Sequence, residues 1–122
     1  MVGYVTMGTS DLDRAVGFFD ALLGSIGAKQ VMNNGRLVMY SGGDGGMFAI
    51  CTPYDEKAQA SGNGPMVAFT LDSTEAVDQF HAKALELGGT DEGAPGDRAP
   101  GAYFAYFRDL DGNKLCAYKF GG

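Results

Sequence analysis

The segment from Tyr106 to Tyr118, "YFRDLDGNKLCAY", carries a cysteine, a side chain able to act as a nucleophile or a metal ligand. It reads as a strand, a tight turn at Asp111-Gly112-Asn113, and a second strand through Leu115, Cys116, Ala117 and Tyr118. Leu115 and Ala117 face one way and Cys116 and Tyr118 the other. A nucleophilic Cys116 needs a neighbouring base or a helix N-terminus to lower its pKa. The single histidine, His81, lies in a helical pattern and not on these strands, so Cys116 lacks that base. The only other cysteine is Cys51. The two have no CxxC spacing, which argues against a zinc ribbon or a disulfide framework. His81 is expected at the solvent edge of its helix.

The elements that position these residues occur twice. With the chain slid by 61 residues, Thr9, Asp11, Ala15, Val16, Phe19, Ala21 and Gly27 fall on Thr70, Asp72, Ala76, Val77, Phe80, Ala82 and Gly88. On that alignment His81 falls on Asp20. Further along, "DGGMFAIC" from Asp44 falls on "DGNKLCAY" from Asp111. Each copy reads as strand, helix, then strands. Short β-rich runs, "VGYVTM" and "MVAFTL", precede helices expected to begin at Ser10-x-x-Asp13 and Asp72-x-x-Glu75 capping boxes. Apolar stripes follow at helical spacing: Leu12, Ala15, Val16, Phe19, Leu22, Leu23 and Ile26, then Ala76, Val77, Phe80, Ala84 and Leu87. Asn34-Gly35 marks a two-residue hairpin. "GTDEGAPGDRAPG" reads as a long loop, with Arg98 in it beside Tyr103. A loop of that length is a candidate lid. The chain is expected to be one α+β domain over residues 1–122, with a first βαβββ module at about 1–52, a linker at about 53–64 and a second module at about 65–122.

Alternation divides the strands into a bulky apolar face that meets the helices and a second face carrying Tyr4, Thr6, Ala49, Cys51, Met66, Ala68, Thr70, Cys116 and Tyr118. A sheet face of small, polar and polarisable residues suits either a ligand wall or packing. The candidate ligand contacts are Tyr4, Cys51, Met66, Cys116 and Tyr118, with Tyr103 and Arg36 beside them. Tyrosine offers a ring and a hydroxyl, and Met and Cys offer soft, adaptable contact. The formal net charge of −6 and the absence of a basic stripe argue against nucleic acid. The acidic balance would suit a cationic or neutral ligand. No run approaches the roughly 20 apolar residues of a membrane span. The opening "MVGYVTMGTS" lacks signal-peptide features, so a reduced, cytoplasmic protein is expected.

"GYVTMGTSDLDRAVGFFDALL", with its Phe18-Phe19 pair, "MVAFTLDSTEAVDQFHAKALELGG" and the closing hairpin "DLDGN" resemble the vicinal oxygen chelate superfamily of glyoxalases, bleomycin resistance proteins and dioxygenases. Leu110 stands where the family's turn has proline. The resemblance implies two βαβββ modules whose mixed sheets curve into a cup with helices outside, commonly in a homodimer. In its metal-dependent members, one divalent ion is held by His, Gln or Glu from the first and last strand of each module. Those positions carry over to Tyr4, Ala49, Met66 and Cys116, with Ala49 and Cys116 each five residues past Asp44 and Asp111. Alanine offers no donor. A thioether is a poor ligand for such ions, and a neutral phenol would first have to lose a proton near pKa ~10. The expectation is therefore no metal cofactor. What remains resembles the metal-free branch, which holds a small molecule for drug or metabolite sequestration. The alternative is a glyoxalase-type lyase or isomerase, or a dioxygenase-like enzyme.

Overall fold

The computed structural model describes residues 1–43 and 45–121. Asp44, expected to open the first module's last turn, lies outside the described residues. The chain divides into two compact units, Met1–Gly62 and Asn63–Gly122. Each is a βαβββ module, and the described residues of the two hold two helices and eight strands in two four-stranded mixed sheets.

In the first unit, β1 (Tyr4–Gly8) leads into α1 (Leu12–Gly24), followed by β2 (Lys29–Asn33), β3 (Leu37–Ser41) and β4 (Met47–Cys51). The sheet order is β1-β4-β3-β2, with β1 and β4 parallel and the other pairs antiparallel. The hairpin expected at Asn34-Gly35 forms one residue further on: Asn33 pairs with Val38 and the Asn34 amide donates to the Leu37 carbonyl, so Gly35 and Arg36 make the turn. Gly35 takes a positive φ of 88°, and the Asn34 side chain accepts from the Arg36 and Leu37 amides. The helix buries Ala15, Phe18, Phe19, Leu22 and Leu23. Phe19 packs on Phe48 at 4.9 Å between ring centroids. The Tyr40 hydroxyl donates to Asp20 at 2.8 Å. Burial and that carboxylate together push the phenol well above its ordinary range.

The second unit repeats the plan with β5 (Val67–Thr70), α2 (Thr74–Glu86), β6 (Thr90–Ala99), β7 (Ala102–Arg108) and β8 (Lys114–Phe120). Its order is β5-β8-β7-β6, again with the first and last strands parallel. One expectation is corrected here. Segment 90–99 is a strand and not a loop. It is an edge strand, which tolerates the missing N–H of Pro95. Its glycines and Pro95 hide the alternation that marks a strand, and its pairing with β7 shifts register three times.

The helix caps are also corrected, each by one residue. Asp11 accepts from the Arg14 amide and Ser73 from the Ala76 amide, so the caps are Asp11 and Ser73. On this alignment Ala15, Phe18, Phe19 and Leu22 correspond to Val77, Phe80, His81 and Ala84, all buried. His81 therefore takes the place of core Phe19, not of Asp20, and is only 5% exposed rather than at the solvent edge. Its Nε2 lies 3.0 Å from Asp91 Oδ1, tying α2 to β6. The Gly93 amide, chiefly, and then the His81 contact hold the Asp91 carboxyl below its usual range.

Candidate binding face

The closing hairpin builds the most chemically distinctive surface of the second unit. Asp109 locks its turn: Oδ1 accepts from the Asp111 and Asn113 amides at 2.9 Å each, and Oδ2 accepts from Asn113 Nδ2 at 2.9 Å. The register of β7 and β8 follows, placing Phe104 opposite Tyr118 and Tyr106 opposite Cys116. On the far side of β8, Cys116 faces Ala68 and Tyr118 faces Thr70 on β5.

Alternation along β7 sends Phe107 toward α2, where its ring meets Phe80. Tyr103 shares that face, and its hydroxyl donates to Asp78 of α2 at 2.6 Å. The opposite face carries Phe104 and Tyr106, and β8 adds Tyr118 and Phe120. Phe104 lies 5.3 Å from Tyr118 and 6.0 Å from Tyr106, with rings within 16° and 19° of parallel. Phe120 closes on both Phe104 and Tyr118, edge to face, at 5.5 and 5.0 Å. Phe120 is 61% exposed, and the other three are half-buried. Four aromatic rings thus form one continuous surface on the face away from α2.

Two cations border it. Arg98 Cζ and Lys114 Nζ lie 5.5 and 5.2 Å from the centre of the Tyr106 ring. Cys116 beside them is fully buried, and that burial pushes its thiol up to about 11, with Lys114 and Arg98 pulling the other way. A thiol in that state is neither a nucleophile nor a ready thiolate ligand.

The first unit's corresponding face carries Tyr4, Thr6, Met39, Ala49 and Cys51. Tyr4 is 56% exposed, and Ala49 is fully buried. Arg36 is engaged within its own unit. Its Nη1 donates to the Thr52 carbonyl at 2.6 Å, and its guanidinium sits 5.4 Å from the centre of the Tyr54 ring. A hollow of about 350 Å³ lies between the turn before α1 and the following linker, with Thr9, Ser10, Thr52, Glu56 and Gln59 among its lining. None of the residues expected to contact ligand lines it.

The structure therefore brings Cys116 and Tyr118 onto one face of the second sheet and Tyr4 and Cys51 onto one face of the first. Met66 immediately precedes β5. Tyr103, which closeness in sequence groups with Arg98, lies on the helix side of β7 with its hydroxyl on Asp78. The sequence-based set lacks Phe104, Tyr106 and Phe120. Strict alternation through "AYFAYF" and "LCAYKF" is the signal that finds them.

Tyr4, Ala49, Met66 and Cys116 do not fit a divalent ion. They offer a phenol, a methyl group, a thioether and a buried thiol held protonated. The register also sets Thr6, not Tyr4, opposite Ala49, and Ala68, not Met66, opposite Cys116. Among the described residues no three His, Cys, Asp or Glu side chains are grouped to share an ion. Both cysteines are free thiols. Among the described residues no helix is long and apolar enough to cross a membrane.

The sequence matches the family model of the Glyoxalase/Bleomycin resistance protein/Dioxygenase superfamily over residues 1–117. A search of curated proteins found no match. Among solved structures, a glyoxalase/bleomycin resistance protein from Albidiferax ferrireducens T118 is 39% identical, with 97% of each chain covered and a TM-score of 0.89. Two more distant structures share the fold. A lactoylglutathione lyase from Agrobacterium tumefaciens is 22% identical, over 97% of this chain and 92% of that one, at a TM-score of 0.72. TioX from Micromonospora sp. ML1 is 18% identical, over 99% of each chain, also at 0.72. The paired βαβββ modules, the family match and the 39% identical structure agree: the chain belongs to the glyoxalase/bleomycin resistance protein/dioxygenase superfamily.

Proposed function

We propose that this protein binds a small organic molecule on the aromatic face of β5–β8, without a metal, and holds the compound rather than transforming it. Drug or metabolite sequestration is the specific form of this reading. The observation that carries it is the continuous array of Phe104, Tyr106, Tyr118 and Phe120 on the sheet face turned away from α2. Soluble proteins rarely leave contiguous apolar surface without a use for it. Aromatic rings recognise flat organic molecules by stacking at low entropic cost. The poor donor set at Tyr4, Ala49, Met66 and Cys116 supports metal independence. Met66 remains a proposed contact on this unit, Tyr4, Cys51 and Arg36 remain proposed contacts on the first unit's own face, and the reading includes a cytoplasmic homodimer.

The test is a thermal-shift panel of flat aromatic and cationic drug-like compounds, bleomycin among them, run with and without chelator. A ligand at a hundredfold its Kd adds about 2.7 kcal/mol of stability. The reading expects at least one compound to raise Tm equally in both conditions and to be recovered chemically unchanged. A panel that stabilises nothing defeats it. Chelator-sensitive turnover of a catechol or of the methylglyoxal–glutathione adduct would replace it with an enzyme.

A further inference from the structure

Arg98 and Lys114 have no acidic partner within ion-pair distance among the described residues, although the chain as a whole carries a charge of −6. Arg108, opposite Lys114 across the β7–β8 ladder, is different: its Nε donates to Glu92 at 2.7 Å and its Nη1 to the Gly112 carbonyl at 3.0 Å. The face therefore carries a local positive excess within an acidic protein.

Arg98 is seated there by its own strand. Its Nη2 and Nη1 donate to the Ala94 and Gly96 carbonyls at 2.8 and 2.9 Å, folding the guanidinium back toward Tyr106. Two glycines leave the room. A Cβ at Gly93 would stand 3.2 Å from Nη2 and 3.0 Å from the Tyr106 ring, and one at Gly96 would stand 3.3 Å from Nη1. The "GAPGDR" run thus places a cation 5.5 Å from the centre of the ring to which Lys114 comes within 5.2 Å. Both cations also act on the buried Cys116, so they share one region of this face, and an anion bound there would gain from both.

We propose that the compound bound on this face is a planar aromatic anion, an arenecarboxylate, with its ring on the Phe104–Tyr118 surface and its carboxylate at Arg98 and Lys114. This rests on the binding reading above and reverses, locally, the preference for cations that the net charge implies. Both cations are available to donate: Lys114 through its ammonium, and Arg98 through the guanidinium N–H groups not used on its own strand.

The test is calorimetric titration of 2-naphthoate, 2-naphthamide and 2-naphthylmethylammonium into the full chain. Each partly exposed charge is worth roughly twofold to fivefold, so naphthoate should bind roughly tenfold tighter than the amide, an advantage that shrinks at high salt. Lys114→Gln should cost naphthoate about threefold and leave the amide unchanged. Lys114→Glu should invert the order of acid and amine. These variants are chosen over Arg98→Gln, which would release two strand carbonyls from the guanidinium. Equal binding of acid and amide, or tightest binding of the amine, overturns the anion inference and leaves the aromatic face standing. Failure of all three probes overturns both readings. If light scattering shows Lys114→Glu changing the oligomeric mass while the ligand order is unaltered, the face belongs to a contact between copies and the inference fails.

Discussion

Cys116 offers the sharpest check on the buried side of this site. Its side chain is fully buried between Ala68 and Tyr106 in the register, and burial raises its thiol to about 11. At pH 8 such a group is ionised in about one molecule in a thousand, against roughly a quarter for an ordinary thiol of pKa ~8.5. Thiolate chemistry alone is thereby slowed by more than about a hundredfold, and occlusion slows it further. The assay is reaction with an aromatic disulfide reagent at pH 8, in the native protein and in denaturant. One thiol per chain, the half-buried Cys51, should react in the native state, and both should react when unfolded. The Cys51→Ala variant should be silent until it unfolds. The raised pKa also makes a pH prediction. The fold favours the protonated thiol, so its contribution is complete below the ordinary thiol range and is lost as pH climbs toward about 11. A rise from 9.0 to about 11 sets a ceiling of about 2.7 kcal/mol, and partial solvent screening brings the expected loss nearer to 1 kcal/mol. Native-state reaction of Cys51→Ala at the rate of a free cysteine would refute both the occlusion and the raised pKa.

Other outcomes follow from the packing. Gly89→Ala should cost about 2 kcal/mol or more in denaturant melts, because the new methyl group would stand 2.8 Å from the Ala84 and Arg108 carbonyl oxygens, backbone atoms that cannot turn aside. His81→Phe should stay within about 1.5 kcal/mol of the parent while His81→Ala loses about 3, because the site is the counterpart of core Phe19; equal losses would contradict that correspondence. Asp109→Ala should cost about 2 kcal/mol by leaving two amides and an amide side chain without their acceptor, measurable as a lowered urea midpoint.

Much of this molecule is written plainly in the sequence. The internal repeat and the strand parity are local signals that the structure follows, and the hairpin signalled by Asn34-Gly35 forms with its turn one residue further on. What stays hidden has physical causes. Strand β6 contains Gly93, Pro95 and Gly96 and shifts register repeatedly, so no period of two survives in it, and its pairing comes from β7 rather than from its own propensity. Sequence identity misplaces His81 because the helices correspond at an offset of 62, a residue beyond the one that maximises identities. The fold aligns buried volumes and caps, not letters. The aromatic face is half legible. Tyr118 follows from parity, but Phe104 and Tyr106 sit beside Tyr103 and Phe107, which turn to the helix side. Only the pairing with β8 shows that Phe104, Tyr118 and Phe120 share a surface. Arg98 cannot be placed without β6.

Metal-free binding on the aromatic face is tested most directly by an NMR titration of 2-naphthoate into the protein in the presence of EDTA, with the aromatic side chains assigned. Saturable shifts centred on Phe104, Tyr106, Tyr118 and Phe120, unchanged by the chelator, are expected. Shifts centred elsewhere, or binding that disappears when the chelator is added, would contradict it.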